Sequence, residues 1–133
     1  MAIENIRLSK EAKERLTRLK AKTGIQNWNV LCRWAFCLSL AEKSIPAPAK
    51  VPADSNVEMT WKVFGGGHHE IYMALLVQRC KNDGNEINDE IISEQFKLHL
   101  NRGINYLFSI KAINNIGSFA EQLLLNHDSS GMP

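Results

Sequence analysis

Apolar residues recur along this chain with two different periods, and the changes of period mark out its elements. The segment Ile3-Glu-Asn-Ile-Arg-Leu-Ser9 alternates. Ile6 and Leu8 fall on one face and Asn5, Arg7 and Ser9 on the other, which predicts a short strand. From Lys10 to Thr23 the period lengthens. Ala12, Leu16, Leu19 and Thr23 stand at i, i+4, i+7 and i+11, the narrow apolar stripe of a helix. Ser9 is placed to cap its free amides. Gly24 suits the left-handed residue after its end, and Lys20 and Lys22 suit the negative end of its dipole. A second helix is expected from Asn27, as N-cap, to about Lys43. Val30, Leu31, Cys32, Trp34, Ala35, Phe36, Cys37, Leu38 and Leu40 cover most of its circumference. Such a helix needs apolar cover all round, from the C-terminal half or from a second copy of the chain, and the pattern favours a homo-oligomer.

Ser44 to Ser55 holds Pro46, Pro48 and Pro52 among alanines and reads as an extended connector. The alternation of Val57, Met59, Trp61 and Val63 predicts a strand running to Phe64. Gly65-Gly66-Gly67 and His68-His69 follow, then a helix from Glu70 to Asn82 with Ile71, Ala74, Leu75 and Leu76 inward, closed by Asp83-Gly84. Asn88 is expected to cap a helix whose apolar face is Ile91, Ile92, Phe96 and Leu100. Arg102-Gly103 reads as a break before a segment from Ile104 to about Ile113. Ser118-Phe-Ala-Glu121 is a capping box that opens a last helix to Leu125, and residues 126–133 read as a frayed, disordered tail. The expected fold is therefore mainly α. A short strand and two helices (1–43) lead through the connector (44–55) to a strand and helices (56–125), all in one compact domain.

With 133 residues, 44% of them apolar, the chain has enough material for one core. No secretory signal is expected, since Glu4, Arg7, Lys10 and Glu11 precede any apolar run. No membrane span is expected either: Trp28 to Ala41 is interrupted by Asn29, Arg33 and Ser39 and is too short. Cys32, Cys37 and Cys80 lie inside apolar helical patterns at no metal-binding spacing, so they read as structural thiols of a cytoplasmic protein. Neither a metal nor a cofactor is implied.

Charge changes the picture more than composition does. The net charge of +2 hides ten Lys/Arg against four Asp/Glu in residues 1–50 and six against ten in residues 51–133. The basic residues concentrate at Arg7, Lys10, Lys13, Arg15, Arg18, Lys20 and Lys22. Pairing of Glu11 with Arg15 and of Glu14 with Arg18 consumes part of this charge, leaving Lys10, Lys13, Lys20 and Lys22 uncompensated. Such a helix is either a solvated face or a phosphate-binding one. No aromatic residue interleaves with the charges in sequence, which gives no support to a single-strand stacking platform. Gly65, Gly66, Gly67 and His68 offer a second anion site, against the simpler reading of a turn that only glycine permits. No Lys-Ser/Thr follows, so the segment is not a P-loop. His68 and His69 diverge on a helix and do not share a metal, while His99 reads as a satisfied core histidine. No nucleophile–base pair stands out, and the chain is not expected to be an enzyme.

The order of strand, capped helix, Thr-Gly and apolar helix, carried by Ile6-Arg-Leu-Ser-Lys-Glu-Ala, Arg15-Leu-Thr-Arg-Leu and Lys22-Thr-Gly, resembles the ribbon-helix-helix family of DNA-binding proteins. That resemblance implies two intertwined chains whose two-stranded ribbon enters the major groove, with Asn5 and Arg7 facing it. Gln26-Asn27-Trp28 stands where that family has small hydroxyl residues for phosphate, which shifts the expectation from reading bases to holding backbone. Over nearly the whole length, Phe64-Gly-Gly-Gly-His-His-Glu-Ile-Tyr72 and Leu98-His-Leu-Asn-Arg-Gly-Ile104 resemble the DndE family. What this resemblance implies is a small oligomeric component, dimer or tetramer, of a DNA phosphorothioation system. It would bind double-stranded DNA, a nicked duplex included, while partner proteins of the sulfur-modification system carry out the sulfur chemistry. Arg7, Lys10, Lys13, Arg18, Lys20 and Lys22 are the expected phosphate contacts. The alternatives are a sequence-specific ribbon-helix-helix repressor, an adaptor that binds sulfur-transfer partners without touching DNA, and a small enzyme built on the Gly-Gly-Gly-His-His loop.

Overall fold

A computed structural model describes residues 3–109 of the chain. The element order is β1 (Asn5–Arg7), α1 (Lys10–Thr23), α2 (Trp28–Ala41), β2 (Glu58–Thr60), α3 (Trp61–Gly65), a single 3₁₀ turn (Gly66–His68), α4 (His69–Asn82) and α5 (Asp89–Ser109). The described residues are thus mainly helical with a two-stranded antiparallel sheet, in one compact domain, as the sequence pattern predicts. The capping box at Ser118, the helix to Leu125 and the tail lie outside the described residues.

The sheet joins the two halves of the chain. Asn5 pairs with Thr60, Ile6 with Met59 and Arg7 with Glu58. Ile6 and Met59 face the core, whereas their neighbours face water. The first strand therefore finds its partner within its own chain, not in the two-chain ribbon that the ribbon-helix-helix resemblance implies. β2 is also shorter than predicted. Thr60 Oγ1 accepts the Val63 N–H at 3.1 Å, and this N-cap turns the chain into α3 where the alternation of apolar residues would have continued a strand. Trp61 consequently swings into the core and Val63 is exposed.

The helix ends follow local chemistry. Ser9 Oγ accepts from Ala12 N at 3.0 Å, and Gly24 takes φ +77° while its N–H closes onto Lys20 O. Asn88 Oδ1 accepts from Ile91 N at 2.9 Å at the start of α5. The predicted break at Arg102-Gly103 does not occur, and α5 runs through it. Gly103 is the point where α5 crosses α2: a Cβ there would lie 1.7 Å from the Ala35 carbonyl oxygen. The glycine permits close approach of two helices, which outweighs its poor helix propensity. α5 and α3 then cover much of α2. Leu31, Cys32, Ala35, Phe36 and Ser39 are buried, Val30 and Trp34 are half-buried, and Cys37, expected as a core thiol, is exposed.

Phe36, Trp61, Phe64 and Phe96 form the centre of the core, with ring centroids 5.0–5.6 Å apart for the pairs Phe36–Phe64, Phe36–Phe96, Trp61–Phe64, Trp61–Phe96 and Phe64–Phe96. Tilted and edge-on packing of this kind suits the aromatic quadrupoles. α4 meets this core through Leu76, as expected, and through Cys80, but the rest of its predicted inward face is turned out: Ile71, Ala74 and Leu75 are exposed. Tyr72, Met73 and Val77 pack against the core in their place.

Candidate nucleic-acid interface

The apolar stripe of α1 decides which of its cations face water. Ala12, Leu16, Leu19 and Thr23 are all buried. At 100° per residue the remaining positions divide into two flanks. Glu11, Glu14, Arg15, Arg18 and Lys22 share one. Lys10, Lys13, Thr17 and Lys20, at i, i+3, i+7 and i+10, share the other.

On the mixed flank the charges cancel locally. Arg15 ion-pairs with Glu11 and hydrogen-bonds to Asn105 of α5. Arg18 pairs with Glu14 at 3.1 Å. Both guanidinium groups lie over the ring of Phe108, 5.6 and 5.9 Å from its centroid, so this flank is where α1 meets α5. Both predicted i,i+4 pairs are present. Lys22 has no acid partner among the described residues. Arg7 is likewise committed, to Glu58 at 2.8 Å and to the Ser55 carbonyl at 3.0 Å.

The lysine flank is different. None of its three ammonium groups has a carboxylate partner among the described residues. Lys13 donates to Asn56 Oδ1, and Lys20 Nζ sits 3.8 Å from the centroid of the Trp28 ring. Asp54 is the nearby connector acid, and its Oδ1 accepts the backbone N–H of Lys10 at 2.8 Å. Lys10 to Lys20 spans about 15 Å along the helix axis, which matches roughly four base-pair steps of duplex. Sequence reading found the lysines and missed Trp28. The loop at Gly24 folds α2 back so that this aromatic lies against a cation eight residues earlier.

Close packing at Gly65 and backbone conformation at Gly66 account for two glycines of the triglycine segment, while Gly67 is constrained by neither. A Cβ on Gly65 would lie 2.5 Å from the His69 Cβ. Gly66 has φ +60° and ψ −141°, and the space its side chain would fill is held by Arg33 Nη1 at 2.9 Å. Arg33 is thus brought to this turn by α2, an approach with no signal in the local sequence. His68 is exposed, whereas His69 is half-buried and its carbonyl accepts the Trp61 indole N–H at 3.1 Å.

His99 is fully buried, as expected, but it is satisfied at one nitrogen only, since Nε2 has no hydrogen-bond partner among the described residues. Its Nδ1 lies 2.8 Å from Ser39 Oγ, which also accepts the Arg102 Nε–H at 2.9 Å. Arg102 and Arg79 go on to satisfy the carbonyls of Ser39, Leu40, Lys43 and Ser44 at the C-terminal end of α2. Burial, with Arg79 and Arg102 adding repulsion, pushes the His99 pKa down to about 4. Burial pushes the Cys32 thiol up to about 12, so it is not a thiolate at neutral pH. Among the described residues no cluster of His, Cys, Asp and Glu is arranged to hold a metal, and no helix is long and apolar enough to cross a membrane.

The comparisons with known proteins agree with one another. The family described as DNA sulphur modification protein DndE matches residues 5–115. The crystal structure of DndE from Escherichia coli B7A, involved in DNA phosphorothioation modification, superposes with a TM-score of 0.68 at 20% identity, over 80% of this chain and 98% of that one. A glycine-to-lysine double mutant of DndE, involved in DNA phosphorothioation, superposes with a TM-score of 0.61 at 19% identity, over 78% and 95%. At these identities the superpositions speak for the fold. No curated protein matches the sequence.

Proposed function

The chain belongs to the DndE family of DNA sulphur modification proteins, and from that premise we propose that it is a non-catalytic, DNA-binding component of a phosphorothioation system, holding double-stranded DNA by its backbone phosphates with little preference for sequence. The observation that carries this reading is the row of Lys10, Lys13 and Lys20, none of whose ammonium groups is ion-paired with a carboxylate of the described residues. Arg18 and Arg7, each paired with a carboxylate, and Lys22, on the other flank of α1, stand apart from this row. Base reading by the ribbon is disfavoured, because Arg7 is tied to Glu58 and Ser55. A duplex in the cytoplasm, nicked or intact, is then the partner, with the sulfur chemistry performed by other proteins of the system.

Binding is expected to weaken steeply with salt, because each phosphate neutralised releases counterion and contributes about −0.9 to the slope of log K against log salt. Lys10→Ala, Lys13→Ala and Lys20→Ala should each flatten that slope by about 0.9 on operator-like and random duplexes alike. An unchanged slope in the triple variant removes α1 from the interface.

Oligomerisation is part of the proposal. Val30 and Cys37 leave an incompletely covered face on α2, and a second copy seated there would bring a second lysine row to the same assembly. Cys37→Glu is expected to lower the mass measured by light scattering toward that of one chain, since a carboxylate in such a contact is costly. A mass unaffected by the substitution places the oligomer contact elsewhere.

A further inference from the structure

What holds the cations of α1 and β1 separates them into two kinds. Arg7, Arg15 and Arg18 each face a carboxylate. Lys13 and Lys20 are held by an amide oxygen and by an indole face, and neither group carries charge. An ammonium group has three N–H donors. One contact with Asn56 or Trp28 orders the side chain and leaves donors and the full positive charge for a ligand.

Both partners stand on fixed ground. Asn56 follows Ser55, which is buried where the connector is bolted to the β1–α1 junction. Ser55 N donates to Leu8 O and Leu8 N to Val57 O, each at 3.0 Å, and Val57 N returns to Ser55 Oγ at 3.1 Å. Trp28 opens α2 and packs against the core. A free lysine loses most of its rotamer freedom when it grips a phosphate, and that loss is subtracted from affinity. Here it is incurred on folding.

We infer that Asn56 and Trp28 are positioning residues, which pre-order Lys13 and Lys20 as phosphate ligands without offsetting their charge. The inference rests on the DNA-binding reading above and adds to it what the departure at Gln26-Asn27-Trp28 is for. Where a hydroxyl would contact phosphate directly, an indole seats the lysine that does so.

The test is duplex affinity of the full-length protein measured across a salt series. Asn56→Ala and Trp28→Leu should each weaken binding by about three- to tenfold at an unchanged salt slope, because the charge remains and only its order is lost. Trp28→Phe, which keeps an aromatic face, should stay close to wild type. Asn56→Ala should have no further effect in a Lys13→Ala background, nor Trp28→Leu in a Lys20→Ala background. Wild-type affinity in Asn56→Ala and Trp28→Leu overturns the inference. So does a loss that persists undiminished in the lysine-free backgrounds, which marks a general role in folding. If the lysine substitutions themselves leave affinity and slope unchanged, it is the DNA-binding reading that fails, and the inference falls with it.

Discussion

Gly103→Ala is expected to destabilise the fold by about 2–4 kcal/mol, in the range of overpacked cores and above that of ordinary surface changes. The added methyl would sit 1.7 Å from the Ala35 carbonyl oxygen and 2.3 Å from its carbon. Both atoms are backbone in the middle of α2, so no side chain can move aside. α5 must instead lift off α2, loosening the neighbouring contacts of Phe36 with Phe96 and of Ser39 with His99. The gain of roughly 1 kcal/mol in helix propensity from glycine to alanine offsets only part of this. Urea denaturation supplies the measurement. Gly67→Ala serves as its control, because a Cβ there meets nothing within 4 Å and φ is not in the left-handed region. That substitution should stay within about 1 kcal/mol of wild type. Equal stability of the two variants would mean that the helices do not cross at Gly103.

The same position shows where sequence reading runs out. α1 was legible almost residue by residue: its cap, its stripe, its terminal glycine and its two Glu–Arg pairs all depend on neighbours within one or two turns. By itself Gly103 looks like a helix break, because a glycine's local meaning is flexibility. Its actual meaning, close approach to Ala35, is set by a helix far away in the chain. Most of the predicted inward face of α4 failed for a related reason. Ile71 and Leu75 fit an inward stripe by period alone, but the aromatic cluster around Phe64 was already filled from α2, α3 and α5. β2 was overextended because Thr60 serves alternation and capping equally well, and only the turn into α3 decides between them. In the candidate interface the lysines were legible as charge. What distinguishes Lys13 and Lys20 from Arg15 and Arg18 was not, because Asn56, Trp28, Asn105 and Phe108 reach α1 only through tertiary packing. Arg79 and Arg102 were likewise indistinguishable from surface cations until the end of α2 was seen to lie beneath them.

Lowering the pH from 7 to below 4 is expected to remove about 3 kcal/mol of stability through His99 alone. In the unfolded chain the imidazole takes its proton near 6.5, whereas in the folded protein it does so only near 4. Between these values the unfolded state binds a proton that the folded state refuses, so stability falls as pH falls through that window. Above about pH 7 the group is neutral in both states and contributes no slope. The gap between 6.5 and about 4 is worth about 3 kcal/mol. The structural cause is specific. The imidazole shares the Ser39 hydroxyl with Arg102, its Nδ1 lying 2.8 Å from Oγ, while its Nε2 has no hydrogen-bond partner among the described residues. A second ring proton must therefore be placed in a fully buried site. It also adds a positive charge beside Arg79 and Arg102, which the Asp83 carboxylate opposes only in part. In His99→Asn the side-chain amide, which can donate or accept, takes the place of Nδ1 beside Ser39, and nothing titrates. Urea unfolding of wild type and His99→Asn from pH 7.5 to 4 should therefore diverge, with wild type losing about 3 kcal/mol more than the variant. Parallel curves would show that His99 takes up its proton in the folded protein as readily as in the unfolded chain, and that the Ser39–His99–Arg102 bond does not hold it neutral.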